Sequence, residues 1–324
     1  MNGDRYGRQA QWPSRIPAAG WCDVARRVLV QVRDNQLTLI AAGVAFYAML
    51  AIFPAIIALV SVYALVADPD QVSAQLAPVV STLPGAAGDL VVDQLRKATQ
   101  LGRGGLTLGL VLSVLGVLWS VSNGIMALIR GVNLAYNEQD TRGLLRLRVS
   151  ALLLTVAALV VIAISLGLVA AFPVVLDQLG LDTLGRSLAN VARWVGLTLL
   201  IGVALAGLYR YGPDRDRARW RWVSWGAFVA VVLWLGASAI FSLYVSNFSR
   251  YHETYGAIAG VAILLLWLYL SSFIALLGAE INSEIEHQTA IDSTVGAPQP
   301  MGQRGAGVAD TLGRGADNPK QSSE

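Results

Sequence analysis

Three polar side chains gather at the end of the last apolar stretch of this 324-residue chain: Glu280, Asn282 and Glu284. An ionisable group at membrane depth is costly to hold there, which makes it a candidate for ion or proton handling. Glu280 and Glu284 are four residues apart and share one face of a helix. Together they can form the acidic mouth of a cation path, with Asn282 as an oxygen ligand. The structural alternative is a helix-end carboxylate neutralised by an arginine such as Arg130, Arg210 or Arg221, and an Asn that hydrogen-bonds a neighbouring helix. Asn123, beside Ser120 and Ser122, forms a second polar patch, explained either by inter-helix hydrogen bonds or by a path lining. Pro54 removes a backbone donor inside another apolar stretch and is expected to kink it. Kinked helices line substrate paths in some transporters, although packing explains Pro54 equally well.

Other chemistries find little material. The chain has two histidines, His252 and His287, and one cysteine, Cys22, so no intramolecular disulfide forms and no zinc or nucleophile–base set assembles. The histidines are expected on opposite sides of the membrane, where they cannot act as an acid–base pair on a phosphodiester. No loop gathers the carboxylates and imidazoles of a two-metal site. No nucleotide-binding motif is present. We therefore expect no catalytic residue, no metal, no cofactor and no enzyme activity. The segment from Arg210 to Trp222 is strongly basic. Its Arg215, Arg217, Arg219 and Arg221 suit anionic lipid headgroups, with the tryptophans at the interface. A nucleic-acid reading, Arg on phosphate and Trp stacked on bases, is the weaker account.

Apolar stretches must position these groups. Hydrophobic residues make up 55% of the chain and charged residues only 14%, against ~25% charged in soluble domains. A span of ~30 Å of hydrocarbon needs roughly 20 apolar residues, and six stretches qualify or nearly do: 37–66, 105–129, 149–172, 194–209, 222–245 and 256–281. The fourth is short and is expected to rely on local thinning or on snorkelling by Arg193 and Arg210. Small-residue pairs Gly105/Gly109 and Gly256/Gly260, together with Gly278, mark seams where helices approach closely.

The flanking segments read differently. Residues 1–20 are expected to be a disordered leader lacking the apolar core of a cleavable signal. Over 21–34, Trp21, Val24, Ala25, Val28 and Val32 recur at helical spacing with Arg26, Arg27 and Arg33 elsewhere, which predicts a juxtamembrane amphipathic helix. It lies either on an anionic leaflet or against the protein itself. Residues 68–103 form the longest loop, with one short amphipathic helix expected between Gly85 and Gln100. The tail 287–324 has a disordered composition. Of 24 Lys and Arg, 18 fall in the leader, the second and fourth loops and the tail, which places both termini in the cytosol. The fold class is thus all-α: a polytopic membrane domain over 21–286, six helices, both termini inside.

Several motifs sit on this frame. Ala45-Phe-Tyr-Ala-Met-Leu-Ala-Ile-Phe-Pro54, Tyr211-Gly-Pro213 followed by Trp222 and Gly226-Ala227, Tyr255-Gly256, Trp267-Leu-Tyr269 and Gly278-Ala-Glu-Ile-Asn282 occur in that order. They resemble the YihY/BrkB family of inner-membrane proteins. So do Glu284-Ile-Glu-His-Gln-Thr-Ala290, Pro300-Met-Gly302 and Arg304-Gly-Ala306 in the tail. The resemblance covers roughly residues 25–310 and implies a six-helix protein of the bacterial inner membrane. Members of that family carry the labels virulence or serum-resistance factor, ribonuclease BN, and ion or lipid transporter. The leading expectation is a transporter or permease for a small ion or lipid, linked to envelope integrity. A non-transporting envelope scaffold acting through the tail is the alternative, and a ribonuclease the remote one. Membrane lipids are the expected partners, nucleic acid is not, and homo-oligomerisation stays open.

Overall fold

The computed structural model describes residues 4–66, 103–178, 182–247 and 249–313. Among the described residues the fold is all-helical and holds no strand, only an isolated bridge between Ala218 and Thr294. A short 3-10 turn, Pro13–Arg15, precedes α1 (Ala18–Asp34), α2 (Leu37–Val66), α3 (Arg103–Ala135), α4 (Leu144–Gln178), α5 (Thr183–Tyr211), α6 (Trp220–Asn247), α7 (Ser249–Glu286) and the one-turn α8 (Gly307–Asp310). Six of these, α2 to α7, are long and apolar enough to cross a membrane, matching the six expected spans.

The fourth span departs from expectation: α5 has 29 residues and needs no thinned bilayer. Its start lies before the apolar run because Asp182 caps it, accepting a hydrogen bond from the Gly185 amide at 2.8 Å. Arg193 is tolerated inside the helix with its guanidinium over the rings of Phe172 and Trp194, 5.9 and 5.4 Å from their centroids. The expected helix between Gly85 and Gln100 lies outside the described residues, as do the side-chain surroundings of Gly105 and Gly256.

The chain divides into two compact units, residues 1–41, 126–235 and 273–324 in one, residues 42–125 and 236–272 in the other. In the second unit, α2 continues as helix through Pro54. Gly116 of α3 sits over that proline, where an added Cβ would come within 3.1 Å of the ring. Ser120 of the same helix donates to the Tyr47 carbonyl at 3.0 Å. Phe241 of α6 and Trp267 of α7 meet with ring centroids 5.1 Å apart.

In the first unit, α4 and α5 pack together, and Leu144, Leu153 and Leu166 of α4 stay exposed, as lipid-facing side chains do. Tyr209 of α5 donates to the Ala275 carbonyl of α7 at 2.7 Å. The closest approach is between α6 and α7. The Cβ of an alanine at Gly226 would run into the Gly278 carbonyl, and one at Gly278 into the Tyr209 hydroxyl. Helix α1 turns Val24 and Val28 onto Trp222 and Ile285, and its Trp21 lies 6.0 Å from Trp225. The amphipathic helix is thus present, with its apolar face on the protein; Arg26, Leu29, Val30 and Arg33 are exposed on the other side.

Leader and tail correct the expectation of disorder. Residues 4–16 and 287–313 are ordered because each supplies the other's hydrogen-bond partners. The Ala290 amide donates to the Arg8 carbonyl at 2.7 Å, Gln288 Nε2 to the Tyr6 carbonyl at 2.7 Å, and Thr289 Oγ1 to the Ala10 carbonyl at 2.8 Å. Ala10 and Ile16 join the apolar cluster of α1. The tail is wound around buried Arg304, whose guanidinium donates to the carbonyls of Gln299, Ala309 and Ala290 at 3.1, 2.6 and 2.8 Å. Polar composition describes a chain with few apolar anchors; here backbone and arginine hydrogen bonds substitute for them.

Candidate functional site: the polar end of the last helix

The apolar run of α7 ends in five polar side chains that turn into the first unit: Glu280, Asn282, Ser283, Glu284 and Glu286 are all essentially unexposed. Burying so many polar groups is costly unless each finds a partner, and the partners differ in kind.

Asn282 is structural. Its Nδ2 donates to the Val223 carbonyl at 2.8 Å, and its Oδ1 accepts from the Gly226 amide at 2.6 Å. The side chain therefore ties α7 to the buried backbone of α6 at the point where Gly226 and Gly278 let the helices touch.

Glu284 and Glu286 are each paired with an arginine that sequence reasoning did not assign to them. Arg27 of α1 donates from Nε to Glu284 Oε2 at 2.5 Å and from Nη2 to the Glu284 carbonyl at 3.0 Å and Gln288 Oε1 at 2.8 Å. Arg215 donates to Glu286 Oε2 at 2.7 Å, with only 2% of its side chain exposed, and its guanidinium lies 4.8 Å from the Tyr136 ring centroid. Ser293 adds a 2.7 Å hydrogen bond to the same carboxylate oxygen. Burial works against the charge of Arg215, but Glu286 and the ring of Tyr136 hold its guanidinium more firmly protonated than usual.

Among the described residues Glu280 pairs with no arginine. Asn35, in the link between α1 and α2, donates from Nδ2 to Glu280 Oε2 at 3.1 Å, and Glu280 Oε1 is buried with no hydrogen-bond partner among the described residues. The expected neutralisation by Arg130, Arg210 or Arg221 does not occur. Arg210 instead donates to the Ala218 carbonyl and lies 4.7 Å from the Trp220 ring centroid, while Arg221 lies 4.6 Å from that of Trp12. Asn35 had a signal available, as the polar residue that opens an uncharged stretch of more than 30 residues, next to Gln36 with its positive φ of 49°.

The remaining expected site residues are scattered. Asn123 is half-buried on α3, and Pro54 lies on α2 beneath Gly116; both fall in the second unit. Gly109 and Gly260 are half-buried within α3 and α7. Of the four arginines assigned to lipid headgroups, Arg215 is corrected to a buried ion pair. Arg219 donates to the Thr294 carbonyl at 2.8 Å, and Arg217 is exposed, 5.2 Å from the Tyr211 ring centroid. Among the described residues no three His, Cys, Asp or Glu side chains come together as metal ligands. His287 Nε2 lies 2.9 Å from Thr311 Oγ1, and its Nδ1 faces Glu284 Oε2 at 3.8 Å.

A further knot fixes the loop between α3 and α4 to the one between α5 and α6. Asn133 donates to Asp140 at 3.0 Å and accepts from the Asp214 amide at 2.7 Å. Arg142 bonds both Asp140 oxygens, at 2.9 and 2.7 Å, and the Gly212 carbonyl at 3.1 Å. Hydrogen bonds from Arg142 hold the Asp140 carboxyl below its usual range.

Known proteins share this sequence. The chain is 30% identical over 248 residues to the ribonuclease-like protein YfkH of Bacillus subtilis, covering 75% of this chain and 88% of that one. It is 24% identical over 265 residues to a UPF0761 membrane protein of Haemophilus influenzae, covering 78% and 91%. A UPF0761 membrane protein of Delftia acidovorans is 27% identical over 288 residues, 84% of this chain and 64% of its own. No solved structure matches. The model of the family described as virulence factor BrkB matches residues 28–301, taking in all six membrane-capable helices and the polar end of α7. The chain is a membrane protein of the virulence factor BrkB family.

Proposed function

We propose that this protein is a transporter or permease for a small ion or lipid, seated in the bacterial inner membrane with both termini cytosolic and serving envelope integrity. One observation carries the reading. Glu280 is a fully buried carboxylate at the end of an apolar helix, held by a single amide and with its second oxygen unpartnered. A group in that state is expensive to keep and is expected where a cation or proton is handled. The excess of arginine on the side of the termini supports the orientation. A scaffold acting through a free tail gains nothing from residues 287–313, which are docked onto the leader. The ribonuclease label borne by a relative finds no group of three metal-ligating side chains among the described residues.

The test is flux in proteoliposomes, wild type beside Glu280→Gln. Proton- and sodium-sensitive dyes follow an imposed gradient while a parallel sample scores lipid transfer. Flux that falls in the variant supports the reading. Wild-type vesicles indistinguishable from empty ones in every assay would remove it.

A further inference from the structure

The carboxylates of α7 continue past the helix end into a third titratable group. Glu280, Glu284 and His287 stand at spacings of four and three residues, so successive members share one helix face. Glu280 is fully enclosed, the Glu284 side chain is 1% exposed, and that of His287 is 15% exposed. The series therefore runs from the buried unpartnered Glu280 Oε1 toward solvent in steps of one helical turn. The groups packed against it come from four other segments. Asn35 meets Glu280 from the link between α1 and α2, and Arg27 holds Glu284 Oε2 from α1. Arg8 and Asp23 lie electrostatically close to one another near Arg27, with Arg8 Nη2 donating to the Gly313 carbonyl at 2.8 Å. Thr311 takes the outer ring nitrogen of His287. Histidine is the side chain whose ordinary titration falls in the physiological range.

We propose that these three residues form a proton-entry path, making the proton the transported or coupling species. His287 takes a proton from water and becomes imidazolium. It gives that proton to the Glu284 carboxylate, returning to neutral imidazole. Glu284 hands the proton to Glu280 at Oε1 and is again a carboxylate. Each step moves one proton and restores its donor, so no other reactant is needed. The inference deepens the transport reading and rests on it for its flux consequence, but the relay itself is testable without flux.

The experiment uses the full chain in vesicles of phosphatidylethanolamine and phosphatidylglycerol. Infrared spectroscopy follows the carboxylic-acid band of Glu280 as water is replaced by deuterium oxide. The band is assigned by its loss in Glu280→Gln or, where that variant does not fold, by its shift in Glu280→Asp. The expected result is that His287→Ala slows deuterium exchange of the band by roughly a hundredfold, the effect of losing one positioned proton carrier. Imidazole added to the buffer restores the rate, which a merely structural role of His287 would not allow. Three results would overturn the relay: no Glu280 acid band between about pH 5 and 9, an exchange rate unchanged in His287→Ala, or a slowed rate that imidazole leaves untouched. Proton flux is read on the same vesicles. Expected exchange with no flux of any species leaves the relay standing and removes transport. Sodium or lipid flux with exchange unaffected by His287→Ala keeps transport and removes the relay.

Discussion

The last two turns of α7 hold carboxylates in two contrasting ways. On the outer turn, Glu284 and Glu286 each meet an arginine from a distant part of the chain, Arg27 and Arg215. On the inner turn, Glu280 meets the neutral amide of Asn35 and, among the described residues, no arginine. Burial is nearly complete in all three, so the difference is not one of solvent access. Taking a charge out of water costs several kcal/mol, which a paired opposite charge offsets and an amide offsets only in part. Paired residues hold the leader, the tail and α7 together. The carboxylate without an arginine can change its protonation without breaking an ion pair of its own, and this contrast is what the predictions address.

The largest effect is expected at Arg215. Removing it leaves Glu286 enclosed without compensation, and breaking one side of a buried pair typically costs about 3–5 kcal/mol. Arg215→Ala should therefore unfold the tail or the whole domain at much lower denaturant or temperature in detergent. Adding Glu286→Gln to Arg215→Ala should recover part of the loss. If the double variant is no better than the single, the pair is not what holds the tail. Arg27→Ala should cost less, since 13% of its side chain reaches solvent and Gln288 stays beside Glu284. Its signature is local: increased protease cleavage within residues 287–313, because Arg27 also fixes Gln288 there.

How much of this was legible in the sequence depends on range. The six spans, the amphipathic helix and the polar end of α7 are local patterns of period and length, and they stand in the residues themselves. The pairing of Arg27 with Glu284 spans 257 positions, and nothing in the spacing of either residue points to the other. The same holds for Arg215, which reads as one of five basic residues in a loop although it is buried against Glu286. The folded tail was missed for a related reason. Its order comes from Arg304 and from backbone bonds to residues 6–10, neither of which raises apolar content. The start of α5 was hidden because Arg186 and Arg193 interrupt the apolar run while Asp182, a visible cap, lies outside it.

Glu280→Gln should sharpen the contrast from the other side. Gln still presents an oxygen to Asn35 Nδ2 and fills the same volume, so thermal stability in detergent should move by less than about 1 kcal/mol in either direction. Flux should nevertheless collapse. A variant as unstable as Arg215→Ala would place Glu280 with the structural carboxylates.

The smallest effect is expected where an arginine and a carboxylate meet outside the helices. Arg142 and Asp140 form a pair whose side chains are 8% and 19% exposed. The Arg142 hydrogen bonds depress the Asp140 carboxyl below its ordinary value of 3.8, so the native state binds this proton less readily than the unfolded chain does. The associated stability is complete above that ordinary value and is lost as pH falls through the depressed one. Arg142→Gln should remove that dependence and leave stability at neutral pH lower by no more than about 1 kcal/mol, the scale of partly solvated pairs. Melting curves of wild type and variant should therefore converge as pH drops below about 3.8 and separate above it.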